Sequence, residues 1–308
     1  MRQIQKYILL VFLGMLAGCK SSVPTFSGDM AFQFLEQQCA FGPRNPGSEG
    51  YAICKEYYLQ KLGAVADTIF TQSFTLTETR TGETYSLSNI IARFQPNAER
   101  QILLGAHWDT RPWADRDPDI ARRDEPILGA NDGASGVAIL MECAEIFYRH
   151  PPPIGVTIVL FDGEDLGREG DPESYAQGSK YFAEHLPISK PESAIILDMV
   201  GDTELNIPIE RNSLKQNPQL VRKLWKIAEE LKLPAFKQWL GPTIYDDHVP
   251  LWEKAGIPAV DIIDFRYPNR FTNYWHTHQD TPIHCSASSL AQVGDVIIHY
   301  LYDATQKK

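Results

Sequence analysis

The 308-residue chain is short of positive charge, poor in cysteine, and lacks any long apolar run beyond its first residues. Each shortage closes off a class of function. Lysine and arginine number 29 against 39 aspartates and glutamates, a formal charge of −10, so no nucleic-acid partner is expected. No segment after residue 16 approaches the ~20 apolar residues of a membrane-spanning helix. No Gly/Ser-rich linker, charge block, internal repeat or low-complexity tract divides residues 29–308, which speaks against a string of modules. None of the five cysteines shows a C-x-x-C spacing. Cys39 and Cys54 read either as a disulfide or, with Cys143 and Cys285, as separate buried thiols, since spacing does not fix connectivity.

The first 18 residues read as a targeting segment rather than structure. Arg2 and Lys6 precede the apolar run YILLVFLGML at 7–16, which is too short to span a bilayer. Leu16-Ala17-Gly18-Cys19 resembles a bacterial lipobox, implying cleavage before Cys19 and a lipid on its sulfur; an ordinary signal peptide with an incidental cysteine is the alternative. On the first reading residues 1–18 are a lipoprotein signal peptide, 19–28 a lipidated tether and 29–308 the catalytic domain. The product is an exported bacterial lipoprotein, anchored to a membrane and facing the periplasm or cell exterior.

What is present is a hydrophobic share of 43%, enough for a sizeable core, and an alternation of two patterns. Short, nearly all-apolar runs at 101–106, 154–161, 193–198 and 257–263 read as strands covered on both faces. Helix-like stretches at 135–149, 173–186 and 217–232 separate them. A hairpin over 67–76 and 84–94 precedes them, two helices at 29–40 and 48–62 open the body, and 286–304 closes it as a helix. The expected fold is α/β: a single domain with a central mixed, mostly parallel sheet sandwiched by helices.

The chemistry lies where strands end. GAHWDTR (105–111), FDGED (161–165), LDMVGD (197–202) and WHTHQDT (275–281), with GANDGASG (129–136), supply more carboxylates and imidazoles than a fold requires. Ligands bind outside the carboxyl ends of strands in open α/β sheets, so one crevice can gather all of these groups. Zinc suits a mixed His and carboxylate set. Asp132, Asp165 and His276 together would neutralise one zinc and leave an open position. Individually, Asp132 also reads as a helix-capping aspartate and His276 as a structural histidine. Glu164, beside Asp165 after a turn, suits a proton shuttle, with Asp198 and Asp246 as supporting acids. His107, Asp109 and Asp198 stand either as ligands of a second metal or as groups behind the first.

Trp275 and Trp239 suit the apolar walls of a side-chain pocket; Trp108, Trp113, Trp225 and Trp252 suit packing or loops. Tyr245-Asp246-Asp247-His248-Val249-Pro250-Leu251 reads as a capped helix start as well as a site segment. The loop at 111–128 reads as a lid or rim, or as a solvated insertion without a role.

In their order along the chain, HWDT, GANDGASG, FDGEDLG, LDMVGD and WHTHQDT resemble the zinc aminopeptidase family, which has a phosphorylase/hydrolase-like fold. Asp246-Asp247-His248-Val249-Pro250 and Trp275-His276-Thr277 are most similar to its glutaminyl cyclase branch. That resemblance implies a zinc held by Asp132, Asp165 and His276, Glu164 as general base and acid, Asp198 and Asp246 in a carboxylate network, and Trp275 at the pocket. It implies turnover of peptides or proteins with N-terminal glutamine to pyroglutamate with loss of ammonia, using one zinc per chain. Gly170 replaces a pocket tryptophan of the animal enzymes and Asp261 replaces a histidine, a pattern closer to the bacterial form. The alternatives are a two-zinc aminopeptidase, in which His107 and Asp198 complete the second site, and a lipoprotein that binds zinc or peptide without turnover.

Overall fold

A computed structural model describes residues 23–78 and 81–303. The expected signal peptide and residues 19–22 of the expected tether, Cys19 among them, lie outside those residues. Among the described residues no helix is long and apolar enough to cross a membrane.

Two helices open the body, α1 (Gly28–Ala40) and α2 (Glu49–Val65). Ser27 and Ser48 cap them, each side chain accepting a backbone N–H of the first turn. Then come β1 (Thr68–Thr77), β2 (Thr84–Phe94), β3 (Gln101–His107), α3 (Ala134–Arg149), β4 (Gly155–Phe161), α4 (Gln177–Glu184) and β5 (Ser193–Asp198). The remainder is β6 (Ile207–Ile209), α5 (Arg211–Gln216), α6 (Pro218–Glu230), β7 (Phe236–Leu240), α7 (His248–Ala255), β8 (Ala259–Ile263) and α8 (Ala287–Asp303), with a two-residue-per-strand hairpin at 268–273 before α8.

Six strands form one sheet in the order β1-β2-β4-β3-β5-β8. The β1–β2 and β2–β4 pairs are antiparallel, whereas β4–β3, β3–β5 and β5–β8 are parallel. Strand alternation divides the core. Ile102, Leu104, Ile195 and Leu197 face α1, α3 and α8; Leu103, Ala194 and Ile196 face α4 and α7. That two-sided cover is why these strands are apolar throughout.

The chain leaves β3 for β4 on one side, then crosses through α4 to β5 on the other. The ends of β3, β4, β5 and β8 therefore open on one crevice at the point where the strand order reverses.

Several expectations need adjusting. The helix expected at 173–186 begins only at Gln177, because Pro172–Ser174 forms a separate 3-10 turn and Ala176 takes a left-handed φ of 56°. Helix 217–232 is preceded by the short α5, and β6 and β7 pair as an additional two-stranded parallel sheet. Cys39, Cys54, Cys143 and Cys285 are all buried free thiols, which resolves the disulfide alternative.

Candidate active site

Three loops and a helix start converge on the crevice. His107 is the last residue of β3, and Asp109 follows two residues later. Both Asp109 oxygens accept backbone N–H groups of the β4 exit, from Glu164 and from Asp165 at 3.1 Å each. Asp109 is thus a scaffold that fixes the acidic turn, standing behind His107 at 3.7 Å rather than joining any cluster of potential metal ligands.

Asp132 precedes α3, where Gly133 adopts φ +98°. A Cβ at Gly133 would sit 2.8 Å from the Asp109 carbonyl oxygen, so the sharp bend needs glycine. Gly133 occupies the N-cap and no side chain caps the helix. The carboxylate of Asp132 is therefore not spent on capping, which removes the capping alternative. Its backbone N–H and that of Asn131 are held by Asp280 at 3.1 and 2.8 Å, and Tyr267 donates its hydroxyl to the same carboxylate at 2.9 Å.

His276 reaches the crevice from the loop after the 268–273 hairpin, with φ +58°, a conformation that a non-glycine residue holds only when its surroundings impose it. Its Nε2 lies 3.1 Å from Asp165 Oδ1 and 3.7 Å from Asp132 Oδ2. Its Nδ1 faces Asp115 Oδ1 at 3.4 Å. A carboxylate behind a ligating imidazole fixes the ring and its tautomer.

Two overlapping ligand clusters result: Asp132, Asp165 and His276, and His107, Asp132 and Asp198. His107 Nε2 lies 3.1 Å from Asp132 Oδ1 and 3.2 Å from Asp198 Oδ1. Asp132 thus turns one oxygen to each cluster. Asp132 Oδ2 and Asp165 Oδ2 are buried without a hydrogen-bond partner. Orphaned buried carboxylate oxygens beside an imidazole are what a bound cation would satisfy, so the residues fit zinc.

The electrostatics carry the same message. Burial, followed by the neighbouring Asp165, raises Asp132 to about 6. Burial also acts to raise Asp165, but the charges of His276 and Arg111 outweigh it and hold this carboxyl below its ordinary range. Burial pushes Glu164 well above the usual carboxylate range; His107 opposes the shift, while Asp165, Asp246 and Asp247 reinforce it. Asp246 is raised to about 6 by burial and then by Asp198.

Glu164, Asp198 and Asp246 line a cavity of about 250 Å3 with the ligand carboxylates and His276. Tyr175, Ile244, Tyr245, Phe265 and Trp275 form apolar walls, and Gly170 sits at the rim with open space beyond its Cα. Trp275 stacks on the His276 ring at 3.7 Å between centroids. Trp239, expected as a second wall, is not part of the lining. It stands on β7, whose last residues point to solvent, and is 51% exposed. Trp108 is fully buried against Tyr51.

The loop at 111–128 is neither a free lid nor a solvated insertion. Arg116 N–H donates to the His276 carbonyl at 3.2 Å, and Asp117 accepts the His278 N–H at 2.8 Å, so the loop clamps the segment carrying His276. It also supplies two residues the sequence reading passed over, Arg111 and Asp115. Arg111 donates to Asp165 Oδ1 at 3.1 Å and to Asp115 at 2.9 and 2.6 Å, tying both carboxylates to one buried guanidinium. Asp280 was likewise unassigned; its only signal was its place inside WHTHQDT. The expected side-chain cap at Tyr245–Leu251 is absent too, because Asp247 precedes α7 without making a capping bond.

The sequence model of peptidase family M28 matches residues 89–301. The solved glutaminyl cyclase of Tannerella forsythia superposes with a TM-score of 0.87 at 38% identity, over 91% of this chain and 99% of that one. A zinc-dependent exopeptidase from Parabacteroides distasonis gives 0.88 at 32% identity, over 92% and 100%. The glutaminyl-peptide cyclotransferase of Bos taurus is 23% identical, over 84% of this chain and 79% of its own length. A mixed sheet opening on one crevice, paired carboxylate and histidine clusters at its strand ends and these likenesses lead to one conclusion: the chain belongs to peptidase family M28.

Proposed function

We propose that the protein is a glutaminyl-peptide cyclotransferase, converting N-terminal glutamine of peptides and proteins to pyroglutamate with release of ammonia. The observation that carries this reading is a buried Glu164 beside the Asp132, Asp165 and His276 cluster, in a small cavity with aromatic walls, on a chain similar throughout to glutaminyl cyclases. The cavity suits one side chain, and Trp275 and Phe265 offer it apolar surface.

Asp132, Asp165 and His276 would hold one zinc, which when bound supplies Lewis acidity toward the glutamine γ-carbonyl. The chain's own residues manage the protons. Glu164, whose burial makes it a better base than an ordinary carboxylate, takes a proton from the attacking α-amine. An α-ammonium titrates near pH 8, so the free amine is accessible close to neutrality. A bond forms between the α-nitrogen and the γ-carbonyl carbon, the bond from that carbon to the amide nitrogen breaks, and Glu164 returns its proton to the departing ammonia. Because nucleophile and electrophile belong to one residue, holding the side chain folded accounts for a large part of the rate. Asp246, raised by burial and then by Asp198, shares the carboxylate floor of the cavity with Glu164.

A second reading, a two-zinc aminopeptidase, is favoured by the His107, Asp132 and Asp198 cluster. Incubation with a glutamine-initiated peptide separates the two by mass. Loss of one ammonia from an otherwise intact peptide supports the cyclase, and release of free glutamine supports the peptidase. The N-terminal sequence supports a further proposal, that the enzyme is exported and held at a membrane by a lipid on Cys19. Mass analysis of the mature N-terminus tests it.

A further inference from the structure

At the cavity floor Asp246 also belongs to a third cluster, completed behind it by His248 and Asp261, two residues that the proposed reaction does not use. We propose that these three residues form an enclosed site for a divalent cation, separate from the zinc site at Asp132, Asp165 and His276. Their candidate ligand atoms all lie within 4.8 Å of one another. Asp246 is 3% exposed and the other two are fully buried. Both oxygens of Asp261, Asp246 Oδ2 and His248 Nδ1 have no hydrogen-bond partner.

The geometry is that of ligands rather than of an ordinary ion pair. His248 Nδ1 lies 3.7 Å from Asp261 Oδ2, too far for a hydrogen bond. Two ligands bound at ~2.1 Å to one tetrahedral cation lie about 3.4 Å apart, close to that separation. The pair His276 Nε2 and Asp132 Oδ2 in the catalytic cluster shows the same 3.7 Å. The donor set is also the same, one imidazole and two aspartates, which cancels a double positive charge.

The far side of the imidazole is prepared as well. Glu210 Oε2 faces His248 Nε2 at 3.3 Å, as Asp115 faces the outer nitrogen of His276 at 3.4 Å. Glu210 is itself pinned by the backbone N–H groups of Asn212, Ser213 and Ile244 and by the Ser213 hydroxyl. Burial acts to raise its pKa, but the contact with His248 and these bonds bring it down to about 2, so it is a fixed anion. An anion at Nε2 places the ring proton there and leaves the Nδ1 lone pair facing Asp246 and Asp261. A lone pair and two buried carboxylates facing one another are costly unless something positive lies between them. A cation there would pin α7, through His248, to β8, through Asp261, and brace the segment that carries Asp246 into the cavity.

Zinc is the probe. Zinc-loaded protein, dialysed against zinc-free buffer, is crystallised and examined for anomalous scattering at the zinc edge, with zinc per chain counted in solution. The expected result is density between Asp246, His248 and Asp261, and an Asp261→Asn variant that holds one zinc fewer per chain while keeping the density at Asp132, Asp165 and His276. Wild-type crystals whose zinc lies only in the catalytic clusters, with the inner carboxylates drawn together by shared protons, would overturn the proposal. The wild-type density decides the question even if the variant fails to fold. A zinc at His107, Asp132 and Asp198 is distinguished by position from one at the inner site, so the fate of the cyclase reading is judged separately.

Discussion

At the scale of single residues, the site divides labour among groups that look alike in sequence. Glu164 and Asp165 are neighbours, yet Asp165 is held low by His276 and Arg111 while Glu164 is driven high by burial. Glu164→Gln keeps the size and removes the base, so kcat with a glutamine-initiated peptide is expected to fall by about 10²–10⁴, with bound zinc unchanged. Steady-state kinetics and metal analysis on one preparation check both halves. The two tryptophans first read as pocket walls should also part company. Trp275→Ala is expected to lower kcat/KM by about tenfold or more, the loss of one aromatic wall, whereas Trp239→Ala should leave it within about twofold. His107, Asp132, Glu164, Asp165 and Asp198 were legible in the sequence because each ends a buried strand or lies at a glycine bend, whereas Asp246 and His276 were legible only through the motifs that carry them. Arg111, Asp115 and Asp280 were not, since their roles arise from contacts with residues far along the chain, such as Asp280 with Asn131.

At the scale of elements, the crevice depends on how each strand is left. The turn into α3 places Asp132 only because Gly133 takes φ +98° with its Cα against the Asp109 carbonyl. Gly133→Ala is expected to cost about 1–3 kcal/mol of stability and to weaken zinc retention, measured by denaturant unfolding and dialysis. The parallel strands could be read from sequence because cover on both faces makes them uniformly apolar. The β6 and β7 pair could not: β6 has three residues, and most of β7 is exposed, so neither carries a buried pattern. The boundary before α4 was misplaced because a 3-10 turn and a left-handed Ala176 interrupt an otherwise helical composition.

At the scale of the whole molecule, the fold gathers buried carboxylates whose protonation is linked to stability. In the metal-free protein, burial first, then neighbouring charge, raises Asp132 and Asp246 to about 6 and Asp280 to about 7. For such groups the folded state binds protons that the unfolded chain has already lost, between roughly pH 4 and pH 7. Metal-free stability should therefore fall as pH rises through that window, with Tm about 5 °C or more lower at pH 8 than at pH 5. Zinc competes with those protons for Asp132, so the rise in Tm on adding zinc should be larger at pH 8 than at pH 5. Thermal unfolding with chelator and with zinc measures both. The sheet architecture was legible at this scale. The meeting of His107 with Asp198, 91 positions apart, was not readable from spacing and was anticipated only through the order of motifs along the chain.

The central claim is that Glu164 and its neighbours close a glutamine side chain on its own amine rather than cut a peptide bond. Ammonia and free amino acid, measured together on two peptides differing only in glutamine or leucine at position one, test it most directly. The expected result is one ammonia per glutamine-initiated peptide consumed, no free amino acid from either peptide, and no turnover of the leucine peptide. Free leucine or free glutamine, released without ammonia, would contradict it.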